Sequence, residues 1–232
     1  MPDPAPARAD LMPSLGRLVR GLLILFWALP ISLVVCVQTT RTNLLAGSGV
    51  LPPIIAQAVI LHALFLVGSF QPHERVWMRA LDRVRVLALV NLGLAPFLHW
   101  WKLMPEVPHY QITVAVMAAS GLGFLAALNQ ALRRLAAMLP DETLRLEVRL
   151  FTNLNLGLLG LLVGLAGLLT LSLRAGWMDA WPELAGRLAI HLGSAALLAL
   201  GLLPVALTMT LIWKIKETIL KSVFHPRLPS GA

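Results

Sequence analysis

The stretch RLFTNLNLGLLGLLVGLAGLLTL, Arg149–Leu171, decides what kind of protein this is. Its one charge is at its first residue, and no other charge follows before Arg174. A helix needs about 20 mostly apolar residues to cross roughly 30 Å of hydrocarbon, and this run is long enough. It also carries two amides, Asn153 and Asn155, and glycines at 157, 160, 164 and 167. A carboxamide taken out of water has to find hydrogen-bond partners. Glycines three and four apart share one face of a helix and let a neighbouring backbone come close.

The rest of the chain has the same character. Of its 232 residues, 58% are hydrophobic and 13% charged, and the mean hydropathy is +0.78. Soluble domains carry roughly 25% charge, so the composition belongs to the membrane class. Six apolar runs are long enough or nearly so: Leu18–Val37, Leu51–Phe70, Val86–Trp101, Ile112–Leu132, Leu150–Leu171 and Leu188–Trp213. All eleven acidic residues fall outside them. The expected fold is therefore all-α, a polytopic membrane bundle of six transmembrane helices spanning residues 17–213. Residues 1–16, rich in Pro and Ala, are expected to be disordered, and 214–232 to form a cytoplasmic amphipathic tail.

The net charge of +8 reads as a topology signal and not as a nucleic-acid footprint. Fifteen of the 19 Lys and Arg residues lie before or at the very start of the first run, in the second and fourth connectors, and after the last run. The other four, Arg41, Lys102, Arg174 and Arg187, lie in the alternate connectors. Basic residues concentrate on the cytoplasmic side, which places both termini there in a bacterial-type inner membrane. Two cytoplasmic connectors have helical periodicity. In HERVWMRALDRVR (His73–Arg85), Arg75, Arg79 and Arg83 lie away from the apolar face, as suits anionic lipid headgroups. In LPDETLRLEVRLF (Leu139–Phe151), Asp141 reads as a helix start and pairs with Arg145.

RLFTNLNLGL has a counterpart in RVLALVNLGL, Arg85–Leu94. In both, Asn-Leu-Gly-Leu follows an arginine after six residues, and a valine precedes the arginine. The offset of 64 residues is about one helical hairpin, a weak sign of an internal repeat. By topology, Asn91, Asn129, Gln130, Asn153 and Asn155 share one inner-leaflet layer, with Arg133 and Arg134 just below. That layer is read either as interhelical hydrogen bonding or as a polar vestibule binding an anionic ligand. Gly157, Gly160, Gly164 and Gly167 form one small-residue face. Ala115, Ala119, Gly123 and Ala127 form a second. Both are expected to pack helices, between themselves or between subunits.

His99 and His191 fall at one depth on different helices and are the candidate haem ligands, with His62 as a third. No other cofactor or metal is indicated. The lone Cys36 rules out a disulfide or zinc set within one chain. No Walker lysine loop, HExxH or GxSxG motif occurs, so the reading is non-enzymatic. The leading expectation is a channel or transport-type protein, or a membrane subunit, acting as a homo-oligomer or with other membrane subunits. The alternatives are a haem-binding electron-transfer subunit and a structural or assembly subunit without ligand.

Overall fold

The computed structural model describes the backbone of residues 5–42, 46–71, 74–139, 141–174 and 183–224. It describes the side chains of 13–42, 47–71, 74–139, 141–168, 171 and 201–221. In chain order the helices are α1 (Ala5–Arg41), α2 (Leu51–Gly68), α3 (Arg75–Leu94), α4 (Pro96–Leu103), α5 (Pro108–Met138), α6 (Glu142–Arg174) and α7 (Glu183–Phe224). A single 3₁₀ turn, Ala46–Ser48, precedes α2. No strand occurs among the described residues.

Proline and aspartate set the helix starts. α2, α4 and α5 each begin with proline in the first turn, where the missing N–H costs nothing. α6 begins as anticipated at Asp141, whose carboxylate accepts from the backbone N–H groups of Thr143 (3.0 Å) and Leu144 (3.2 Å). The Arg145 guanidinium donates to Leu139 O (2.8 and 3.1 Å).

Four of the described helices are long and apolar enough to cross a membrane: Pro13–Arg41, Leu51–Gly68, Pro108–Met138 and Glu142–Leu168. The third expected span, Val86–Trp101, is divided between α3 and α4. Pro96 cannot donate to the helix, so the hydrogen-bond ladder is interrupted between Leu94 and Pro96 while Ala95 keeps helical angles (φ −55°, ψ −38°). The short connector helix expected over 73–85 is part of α3 itself. The sixth expected span lies in α7, and the side chains of its first half fall outside the described residues. Residues 5–16, expected to be disordered, are helical as the first turns of α1. Of the expected tail, 214–224 continue α7, and 225–232 lie outside the described residues.

α1 packs along α2, α3 along α5, and α6 along α7. The tight core sits at one end of the bundle. Leu18, Leu22 and Leu25 of α1 meet Ala63 and Leu64 of α2, Trp77 and Leu81 of α3, Leu128, Leu132 and Leu135 of α5, and Ile212 and Ile215 of α7. These are the helix ends that carry the expected cytoplasmic Arg and Lys residues. At the opposite end, a small second cluster of Ala95, Leu98 and Met117 is packed. A leucine gains little by leaving lipid for protein, so close packing must hold such a bundle. Gly21 shows how close it is. A Cβ there would lie 2.8 Å from Val67 Cγ2, 2.9 Å from Val67 N and 3.0 Å from Ala63 O.

Candidate functional site: a carboxamide node beside an arginine groove

The expected amide layer divides in two. Asn129 of α5 and Asn155 of α6 are fully buried. Each donates from Nδ2 to the hydroxyl of Thr208 on α7, both at 2.9 Å. Thr208 donates in turn to Pro204 O (2.7 Å). The second proton of Asn129 goes to Leu125 O (2.8 Å), and that of Asn155 to Pro204 O (3.1 Å). One threonine hydroxyl thus uses its single donor and both lone pairs to join three helices. The carbonyl acceptors also fix which way the amides face, because each needs an N–H opposite it. Among the described residues, the Oδ1 atoms of Asn129 and Asn155 are buried without a partner, and so is Thr152 Oγ1 one turn before Asn155.

Asn91 of α3 is buried, but its Oδ1 has no partner and it does not join the node. Gln130, Asn153, Arg133 and Arg134 are exposed on the flanks of α5 and α6. The layer is therefore a buried node plus an outer rim, and the described cavities do not reach the node.

Two rim residues belong to a separate hollow of about 180 Å³ between α3 and α5. Arg79, Arg83, Val76 and Ala80 line it from α3, and Ala127, Gln130 and Arg134 from α5. A second, larger hollow of about 820 Å³ is apolar and open, lined by Leu23, Trp27 and Ile31 of α1 and Leu51, Ile55 and Val59 of α2. It has the character of a lipid-facing surface.

Sequence reasoning missed three polar contacts. Thr208 is the hub of the node. Its signal is a threonine four residues after the intrahelical Pro204, a spacing that places its hydroxyl against the Pro204 carbonyl. Gln57 of α2 donates from Nε2 to Ser32 Oγ of α1 (2.8 Å), both buried. Arg85 reaches back to Leu64 O near the C-terminal end of α2 (3.4 Å), pairs with Asp82 (3.2 Å) and lies over the Phe65 ring (5.0 Å). Gly68 makes room for it, since a Cβ there would fall 1.7 Å from Arg85 Nη2.

The small-residue faces do not pack as a pair within the chain. A Cβ on Gly157, Gly160, Gly164 or Gly167 would meet nothing within 4 Å, and the first three glycines are exposed. Ala115 and Ala119 are exposed too. Gly123 and Ala127 are half-buried, and a Cβ on Gly123 would touch Leu87 of α3 at 3.9 Å. That places part of the α5 stripe beside α3 and not beside α6.

His99 is half-buried in α4 and His62 is exposed on α2. His191 lies in the part of α7 whose side chains fall outside the described residues. No group of three or more His, Cys, Asp or Glu with metal-ligand geometry occurs among the described residues.

At the C-terminal end of α7, Lys214 pairs with Glu147 of α6 at 2.6 Å. Glu217 pairs with Lys221 at 2.8 Å. The hydrogen bond and charge of Lys221, with help from Lys216 and Lys214, hold the Glu217 carboxyl below its ordinary value.

No protein family, curated protein or solved structure matches this chain.

Proposed function

We propose that this protein is a non-enzymatic, multi-pass membrane subunit of channel or transport type that works as an oligomer or within a larger membrane complex. In this reading it has six spans in a bacterial-type inner membrane, with both termini cytoplasmic. The four long apolar helices support the membrane assignment. The grouping of basic helix ends supports the topology: α3 and α5 bring Arg79, Arg83 and Arg134 together, and Lys214 of α7 meets the start of α6.

The observation that carries the subunit reading is the open face of α6. Little of its apolar stretch is buried, and Gly157, Gly160 and Gly164 stand exposed in a row with no neighbour within 4 Å of an added Cβ among the described residues. Small residues on a membrane helix favour close approach of another helix, where lipid supplies no hydrophobic drive. The amide node supports a packing role for the inner polar layer, because its donors are spent on three helices of one chain.

Counting subunits of the fluorescently labelled full chain in lipid nanodiscs tests this reading. The expected result is an oligomer that Gly160→Leu shifts towards monomer. A wild-type chain that stays monomeric across a wide range of protein-to-lipid ratio, with no co-purifying subunit, would sink it.

A further inference from the structure

We infer that the hollow between α3 and α5 is a site for one anionic phospholipid, its phosphate held by Arg79, Arg83 and Arg134. The inference is independent of the oligomeric state. Three arginines line this one hollow, and no acidic residue is among its lining residues. None of the three has an ion-pair or hydrogen-bond partner among the described residues. Neighbouring arginines are engaged: Arg85 on Asp82 and Leu64 O, Arg145 on Leu139 O. Three unpaired cations around one hollow repel each other, and an anion at its centre removes that cost. Guanidinium groups hydrogen-bond phosphate oxygens in fork geometry, and Gln130 adds an amide donor. A volume of about 180 Å³ holds roughly six waters, enough for a phosphate group.

The walls favour a lipid over a free anion. Val76, Ala80 and Ala127 make one side of the hollow apolar. Beyond Ala127 the surface of α5 continues through Gly123 and Ala119, with Leu87 of α3 beside Gly123. Small side chains four residues apart leave a furrow along this face of α5, running away from the charged end of the helix. A soluble anion makes no use of such a furrow, whereas an acyl chain fills it. The placement also suits the α3 arginines, which stand at the basic end of the bundle where anionic headgroups gather.

Native mass spectrometry of the detergent-purified full chain tests this, with dioleoyl-phosphatidylglycerol, dioleoyl-phosphatidylcholine or inorganic phosphate added separately. One bound phosphatidylglycerol is expected, with weak retention of phosphatidylcholine. The R83Q/R134Q double variant should lose it roughly tenfold or more, as removal of charged hydrogen bonds implies. R133Q/R149Q removes the same charge from positions that do not line the hollow and should change retention by less than about twofold. Gly123→Leu should also weaken lipid retention, because it fills the furrow and leaves the charge intact. Where R83Q/R134Q does not fold, as judged by circular dichroism, Arg79→Gln and Gly123→Leu decide the matter. Equal loss in both double variants, equal retention of the two lipids, or displacement of the lipid by millimolar phosphate would each overturn the proposal.

Discussion

Two helix segments, Val84–Leu94 in α3 and Val148–Leu158 in α6, read as near copies and sit in different company. Position for position they share the same degree of burial, with the arginines as the exception. Val84 and Val148 are buried, Asn91 and Asn155 are buried, and Gly93 and Gly157 are exposed. The matched pattern sets one face of each helix inward. What lies against that face differs. Asn155 meets Thr208 and Pro204 of α7, while Asn91 has a carbonyl oxygen without a partner. Arg85 is tied to the end of α2, while Arg149 is exposed. A helix period therefore carries the facing of a residue from one copy to the other but not its partner. The matched burial adds to the sequence sign of an internal repeat without deciding it, since any two amphipathic helices in one register would agree this far.

The sharpest way to break the comparison is to remove both asparagines in turn. Asn155→Leu should lower stability by about 1–2 kcal/mol, since it strips two hydrogen bonds from a buried threonine and carbonyl. Asn91→Leu should be neutral or slightly stabilising, because it removes a buried acceptor that has no donor. Thermal unfolding in detergent, followed by tryptophan fluorescence, reads both. Equal losses would mean that the two asparagines have equivalent partners.

A somewhat smaller contrast is expected at the arginines. Arg85→Gln should cost about 1 kcal/mol by releasing Leu64 O and the Phe65 ring, whereas Arg149→Gln should leave the melting temperature unchanged. Gly68→Ala should mimic the Arg85 variant, because the added methyl takes the place of the guanidinium. If Gly68→Ala melts like the wild type, the slot at the end of α2 is not what holds α3.

At the position where the copies hold Ala88 and Thr152, both buried, the α6 hydroxyl has no partner. Thr152→Val keeps the shape and removes the hydroxyl, and should raise stability by roughly 0.5–1 kcal/mol. A drop in melting temperature would reveal a hydrogen bond at Thr152 Oγ1.

The smallest effect lies beyond the node, at the exposed end of α7. The Glu217 carboxyl titrates lower when paired with Lys221 than in an unfolded chain. Its contribution is therefore present above the ordinary carboxyl value of 4.5 and is lost as the pH falls through the lower folded value. Because the group is fully exposed, the melting temperatures of wild type and Glu217→Gln should differ little near neutral pH and converge in acid. A difference that grows on acidification would reverse the sign.

Much of the fold was legible in the residues. Apolar runs between charged connectors announced long helices. The division of Val86–Trp101 between α3 and α4 was less legible, since hydropathy counts residues and takes no account of a missing donor. Depth alone put Asn91, Asn129, Gln130, Asn153 and Asn155 in one layer, whereas the first two and Asn155 are buried and Gln130 and Asn153 are exposed, because residues one or two positions apart on a helix face different ways. The glycine stripe on α6 was visible as a face, but not the empty space in front of it.

The sequence by itself determined the membrane class, the basic ends of the helices, and which side of each helix bears amides or small residues. Those properties follow from composition and a period of 3.6 residues, and both are local. Only the tertiary structure decided that Thr208 links Asn129 to Asn155, that Arg79 and Arg83 share a hollow with Arg134, and that Gly157, Gly160 and Gly164 face outwards. Each of these depends on which helix lies beside which and at what rotation. That arrangement is set by packing between residues far apart in the chain, and no local pattern encodes it.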